Sequence, residues 1–279
     1  MKRFERRVAI VTGSSNGIGR AIAVLLAQDG ASVVVTGRDE MALKETLTEC
    51  VNAGVNSERI LIVQGDITKD EFRKKLVNDT LNSFGKLDIL VNNAGALDKD
   101  NCGKGPGFQN QDIDSYDYIM ALNLRSIVSL LYLCLPHLES TKGDVVNISS
   151  IGGLQGAMPN FPFYSTSKAA LCQLTRSLAY EYIPKGVRFN TVCPGLVATK
   201  ILQKQGLPEE LSRKLEHSME QNPMNIPGGF VGTPEDIANV VAFLADRKTS
   251  RYIIGSTIVV DGGSHIVMPL VTGNFHDHM

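Results

Sequence analysis

The sequence predicts an α/β protein: a doubly wound, seven-stranded parallel sheet with helices on both faces. Three observations predict it. Short β-branched runs alternate along the chain with longer stretches whose apolar residues recur at three and four. The runs are apolar almost throughout, as strands covered on both faces must be. And the first run passes through a glycine-rich turn directly into a helical pattern.

The strands are expected at VAIVT (8–12), SVVVT (32–36), RILIV (59–63), LDILV (87–91), DVVNIS (144–149), VRFNTV (187–192) and STIVV (256–260). RAIAVLLAQDG after the first run and EDIANVVAFLAD before the last carry the helical period, and 163–182 reads as a further helix. Two segments break the alternation. Residues 96–111, rich in Gly, Asn and Asp, read as a loop after the fourth strand; 202–233 reads as a flap after the sixth, with a short helical piece in PEELSRKLEHSME. In an open α/β sheet the ligand crevice lies beyond the carboxyl ends of the strands, so both insertions are placed to touch substrate.

The 279 residues, 43% hydrophobic and 20% charged, suit one globular domain spanning 1–279. A net charge of -1 gives no basic field to draw the chain to nucleic acid or an anionic membrane. No segment is expected to be long or apolar enough to span a bilayer, and VAIV after the basic start is too short for a signal-peptide core. The five cysteines, 50, 102, 134, 172 and 193, form no CxxC pair and fit free thiols in the cytoplasm. Histidines 137, 217, 265, 276 and 278 make no HExxH or Cys/His cluster, so no metal site is expected, and His276-Asp-His278 reads as a tail.

In TGSSNGIGR, Gly13 permits a tight exit from the strand, Gly17 lets phosphate oxygens approach bare backbone, and Gly19 lets the helix pack close to the sheet. The following helix N-terminus offers N–H groups and partial positive charge to a pyrophosphate. The second strand ends in Thr36-Gly37-Arg38. A carboxylate there would select the unphosphorylated ribose; glycine followed by a guanidinium suits a 2′-phosphate, so NADP(H) is expected over NAD(H). Arg38 also reads as a solvated charge facing Asp39, itself a cap or first-turn residue of the next helix. Tyr164 and Lys168, four apart, share a helix face with Cβ atoms about 6 Å apart. An unaided phenolate at pH 7 costs roughly 4 kcal/mol, and an ammonium one turn away is expected to lower that cost. Such a phenol can exchange a proton with a carbonyl or hydroxyl oxygen. Ser150, at the end of the fifth strand, can donate to the same oxygen, while alternation turns Ser149 to the other face.

TGxxxGIG with NNAG at 92–95, Asn123 in NLRS, Ser150 in NISS, YxxxK at 164–168 and PGxVxT at 194–199 resembles, in order and over nearly the whole chain, the short-chain dehydrogenase/reductase family. The resemblance implies a Rossmann fold with strand order 3-2-1-4-5-6-7, a nicotinamide cofactor and a homotetramer. It also implies site roles. Gly13, Ser15, Asn16, Gly17, Ile18 and Gly19 would hold the pyrophosphate side and Arg38 the 2′-phosphate. Asp66 and Ile67 would meet the adenine, and Asn93, Ala94 and Gly95 the adenine ribose. Pro194, Gly195, Val197 and Thr199 would lie beside the nicotinamide. Tyr164 would be the general acid/base, Lys168 its partner on the ribose, Ser150 the substrate-oxygen donor, and Asn123 the residue whose distorted backbone supports a proton relay. Asp66 also reads as an Asx-turn or the N-cap of the following helix, and Asn123 as a polar contact between helices. The Tyr164–Ser150 spacing is a residue longer than the family's usual one, the extra residue falling in GAMPNFPF.

The expected activity is hydride transfer between NADP(H) and a ketone or secondary alcohol. The alternatives are a catalytically silent dinucleotide-binding scaffold or sensor, which would be expected to lack a catalytic side chain, and an epimerase or dehydratase, which would carry a larger C-terminal region. Met158, Phe161 and Phe163 suggest a partly apolar substrate pocket.

Overall fold

A computed structural model of the chain describes residues 2–99, 107–154, 158 and 160–267. Cys102, Gly156, Ala157 and Pro159 of GAMPNFPF, and the His276–His278 segment lie outside them. The seven strands are β1 Val8–Thr12, β2 Ser32–Gly37, β3 Ile60–Gln64, β4 Ile89–Asn92, β5 Asp144–Ile148, β6 Arg188–Pro194 and β7 Thr257–Val260. All pair in parallel, in the order β3-β2-β1-β4-β5-β6-β7. The expected strands are all present, with ends displaced by two residues or fewer.

The helices are α1 Gly17–Gln28, α2 Glu40–Asn52, α3 Asp70–Phe84, α4 Ile113–Met120, α5 Ser126–Thr141, α6 Pro162–Tyr182, α7 Glu209–Glu220 and α8 Pro234–Ala245, followed by the one-turn α9 Arg247–Ser250. Strand alternation sorts the core into two layers. Ala9 and Val11 of β1 and Val33 and Val35 of β2 face Ile22 and Leu26 of α1 and Ile237 and Val241 of α8. Ile10 and Val34 face the other way, with Leu76 of α3, Leu130 and Leu138 of α5 and Leu171 of α6. The five inner strands β2, β1, β4, β5 and β6 are thus buried on both sides, which is why VAIVT and SVVVT lack a polar alternate, whereas the edge strands β3 and β7 are only partly covered.

One expectation is corrected. Ile113–Thr141, α4 and α5 joined end to end, runs 29 residues at a mean hydropathy of 1.7, long and apolar enough by length and composition to cross a membrane. Its apolarity is spent on the core: Leu130, Leu131, Cys134 and Leu138 are at most 2% exposed. A helix caught between a sheet and neighbouring helices carries the same composition as a span.

A buried ion network ties β5, β6 and α9 together. Arg188 Nε donates to Asp144 Oδ1 at 2.7 Å with both side chains 2% exposed, and Arg247 Nε reaches both Asp144 oxygens at 3.1 Å. The remaining Arg188 nitrogens donate to the Leu244, Ser250 and Ile253 carbonyls, so the buried guanidinium is hydrogen-bonded around its edge. This network fixes the amino-terminal end of β5, whose other end carries Ser150.

Candidate active site

β1 ends at Thr12 and the chain turns at Gly13, whose φ of +66° favours glycine. α1 then starts so close to the turn that a Cβ on Gly19 would lie 2.3 Å from the Gly13 carbonyl oxygen. At Asn16 the N-cap makes no side-chain capping bond, and Gly17, Ile18 and Gly19 of the first turn face the cleft. These are the N–H groups a helix leaves for an anion. Arg20, which sequence reasoning missed, staples the turn in place. Its guanidinium donates to the Ser15 carbonyl at 2.6 Å and the Ala42 carbonyl at 3.1 Å, and pairs with Glu45 and Glu49 of α2. Thr12 was missed too: its hydroxyl accepts from the N–H groups of Asn93 and Ala94, at 2.9 and 3.1 Å. Nothing in the local sequence of either residue signals a role, because their partners other than Ser15 lie 22 to 82 positions away.

Beyond β2, Asp39 caps α2 by accepting from Ala42 N–H at 3.1 Å. Asp66 adopts the Asx-turn, its Oδ1 accepting from the Thr68 N–H and hydroxyl at 2.9 and 2.8 Å, while still facing the cleft.

The two candidate catalytic side chains rise from α6, whose start is set by Pro162 in the first turn. Tyr164 is 7% and Lys168 4% exposed. Ser149 and Ser150 divide as alternation requires. Ser149 donates its hydroxyl to the Lys168 carbonyl at 2.8 Å, fastening α6 to β5. The Ser150 hydroxyl accepts from Gly152 N–H at 3.1 Å and lines the cleft together with the Tyr164 phenol.

The expected effect of the lysine on the tyrosine is not what these groups produce. Burial raises the Tyr164 phenol above its ordinary value, and the Ser150 hydroxyl pulls it only part of the way back. Burial likewise lowers Lys168 to about 8. The geometry explains it: Lys168 Nζ donates to the Ile148 carbonyl at 2.8 Å and stands 5.7 Å from the centre of the tyrosine ring. At that position desolvation of both groups outweighs their mutual attraction. Behind Lys168, Cys172 and Cys193 lie with sulfurs 3.8 Å apart, and the hydrogen bond between them raises the Cys193 thiol.

Asn123 sits in a π-helical turn, Ala121–Arg125, between α4 and α5. It is fully buried and pins the chain after β4 from both sides: Oδ1 accepts from Ala96 N–H at 3.0 Å and Nδ2 donates to the Ala96 carbonyl at 2.9 Å. Nδ2 also reaches Ser167 Oγ of α6 at 3.1 Å, so the distorted helix and the interhelical contact occur together.

All these elements enclose one cavity of about 710 Å³, and every predicted site residue except Asn123 lines it. The fit to a dinucleotide rests on this cradle: a Cβ at Gly13 would come within 2.9 Å of Ala94 Cα, and one at Gly95 within 3.3 Å of Lys168 Nζ. Both insertions contribute, Leu97 from the first and Leu202, Lys204 and Met219 from the flap. A short parallel bridge closes the flap at its base, Gly232 N–H donating to the Leu196 carbonyl and Ala198 N–H to the Gly232 carbonyl. Met158 and Phe161 line the cavity. Phe163 instead packs edge-on against Tyr116 and Phe108 at 5.3 and 5.8 Å, because the helix turns it away from Tyr164.

Residues 13–265 match a family model described as enoyl-(acyl carrier protein) reductase. The chain is 32% identical to a 7alpha-hydroxysteroid dehydrogenase of Bacteroides fragilis, over 97% of its own length and 99% of that protein's. The chain is a short-chain dehydrogenase/reductase. A Caenorhabditis elegans short-chain dehydrogenase/reductase of unknown function, solved with cofactor, superposes with a TM-score of 0.94 at 42% identity, covering 98% of this chain and 100% of that one. A glucose dehydrogenase from the same organism, in its apo form, gives 0.80 at 47% identity over 95% and 100%. As a short-chain dehydrogenase/reductase the protein is an oxidoreductase that uses a nicotinamide dinucleotide on a small-molecule substrate.

Proposed function

We propose that this short-chain dehydrogenase/reductase transfers hydride between NADP(H) and a ketone or secondary alcohol, with Tyr164 as the general acid/base. The observation that carries the reading is the convergence of Ser150, Tyr164 and Lys168 on the cavity that the glycine-rich turn also lines. The dinucleotide, when bound, supplies or accepts the hydride, and its oxidised ring favours the phenolate. Burial keeps the Tyr164 phenol protonated at neutral pH, so it can donate to a carbonyl oxygen as negative charge develops there. Ser150, lining the same cleft, adds a second donor to that oxygen. Lys168 is positioned by the Ile148 carbonyl and the cradle at Gly95, where Nζ can serve a ribose hydroxyl and relay a proton. Asn123 holds Ala96, and with it the cleft wall beside Lys168, in register.

Two features support NADP(H) over NAD(H). Arg38 faces the cleft at the end of β2, and Gly37 leaves no carboxylate there; a Cβ on Gly37 would already lie 3.2 Å from Ser15 Oγ. The homotetramer remains part of the proposal, and Tyr132 on α5 and Tyr180 on α6, 77% and 85% exposed, give those helices apolar surface for it. The cytoplasm is proposed from the thiol state of the described cysteines, all four free.

The test is a panel of ketones and alcohols followed by nicotinamide absorbance with both cofactors. Turnover with NADPH at a KM well below that for NADH is the expected result, and Arg38→Gln should abolish the difference. A wild-type preference for NADH, or no turnover across a wide carbonyl panel, would overturn it.

A further inference from the structure

The flap approaches the cofactor cleft at two places. Leu202 and Met219 line the main cavity, whereas Lys204 lines both that cavity and a second recess of about 460 Å³ bounded by Ser15, Asn16, Arg38 and Asp39. This recess opens beside the glycine-rich turn and the end of β2, the region assigned above to the ribose 2′-phosphate. The flap is brought there by local packing. Thr199, just ahead of it, lies against the turn so closely that a Cβ on Gly17 would be 3.1 Å from Thr199 Cγ2. Lys204 N–H then donates to the Lys200 carbonyl at 3.0 Å, closing the turn that carries the side chain back toward Arg38.

We infer that Lys204 is a second ligand for the cofactor's 2′-phosphate, delivered by the substrate flap, so that a phosphorylated cofactor pins the flap while an unphosphorylated one does not. This rests on the NADP(H) reading above and adds to it. Two cations facing one recess are mutually unfavourable, and a dianion between them gains from both. Arg38 presents a planar fork and Lys204 a mobile point charge, a complementary pair for a tetrahedral phosphate. Asp39 also borders the recess and opposes the anion, but its Oδ1 is engaged by the Ala42 N–H at the α2 cap. Since Leu202 and Met219 belong to the same flap, holding Lys204 on the phosphate also shapes the wall that meets the substrate. Phosphate recognition and substrate fit are then linked through one segment.

The experiment compares adenosine 2′,5′-bisphosphate with adenosine 5′-monophosphate by titration calorimetry, on wild type, Lys204→Gln, Lys204→Arg and Arg38→Gln. Losing one charge-assisted hydrogen bond should weaken bisphosphate binding about ten-fold in Lys204→Gln. Monophosphate binding should be unchanged, and Lys204→Arg should retain most of the affinity. If wild type prefers the bisphosphate and Lys204→Gln binds it as tightly as wild type does, while Arg38→Gln loses the preference, the Lys204 assignment fails and the NADP(H) reading stands. If wild type binds the two probes equally, the NADP(H) reading fails and takes this inference with it. Equal weakening of both probes by Lys204→Gln would also overturn the inference, since it would mean a general change in the cleft.

Discussion

Lys168 is an ammonium 4% exposed whose only described hydrogen bond is to the Ile148 carbonyl, and burial lowers it from 10.5 to about 8. That drop is worth roughly 3 kcal/mol between folded and unfolded chains. Between about pH 8 and 10.5 the unfolded chain holds a proton on this lysine that the folded one has released, so folding becomes more favourable as pH rises. The penalty is fully present below the folded value and is gone above the unfolded one. Subtracting the stability of Lys168→Met removes the titrations not coupled to this lysine, because methionine fills similar volume and carries no charge; Cys172, which feels the ammonium, is replaced by serine in both proteins. We expect the stability of the Lys168 protein minus that of Lys168→Met to rise with pH from about 8 and to approach a gain of roughly 3 kcal/mol near pH 10.5. Urea unfolding of both proteins, free of cofactor, at half-unit pH steps would read it. A difference that stays flat within about 0.5 kcal/mol across the range, or that falls, would refute the claim that desolvation governs this lysine.

Three further outcomes follow from the packing. Gly19→Ala should push α1 away from the Gly13 carbonyl and Asn93, costing about 1–3 kcal/mol and weakening dinucleotide binding at least ten-fold by calorimetry. Gly54→Ala, at a position whose φ is +82° but which has open space around it, should lose about 1 kcal/mol and bind normally. Asp144→Ala strands the buried Arg188 guanidinium and should cost about 3–5 kcal/mol in denaturant unfolding; a loss below about 1 kcal/mol would show that the carbonyl partners suffice.

The strands and helices were legible because each carries its own period: VAIVT and SVVVT have no polar alternate, and TGSSNGIG announces its turn through glycines at the positions where a Cβ would collide. Tyr164 and Lys168 were legible for the same reason, one helical turn being a local spacing. What was hidden depends on partners distant in sequence. Arg20 reaches from α1 to α2, Thr12 reaches across to Asn93, and Lys204 returns from the flap to Arg38, and no local pattern encodes these meetings. The ionisation of the tyrosine was misread because spacing gives proximity but not burial. Four residues of separation say that ring and ammonium are neighbours; only the packed site says that both are desolvated and that Lys168 is turned to Ile148. The hydropathy of 113–141 misled in the same way, since composition does not say whether lipid or protein covers a helix.

The central claim is that the Tyr164 hydroxyl carries the proton that accompanies hydride transfer. Single-turnover oxidation of NADPH by Tyr164→Phe, with a ketone that wild type reduces and with NADPH affinity measured separately, tests it most directly. The account predicts affinity within about three-fold of wild type, because the phenyl ring keeps its packing, and a hydride-transfer rate lower by about 10²–10⁴-fold. A variant that binds NADPH normally and still transfers hydride within ten-fold of the wild-type rate would contradict it.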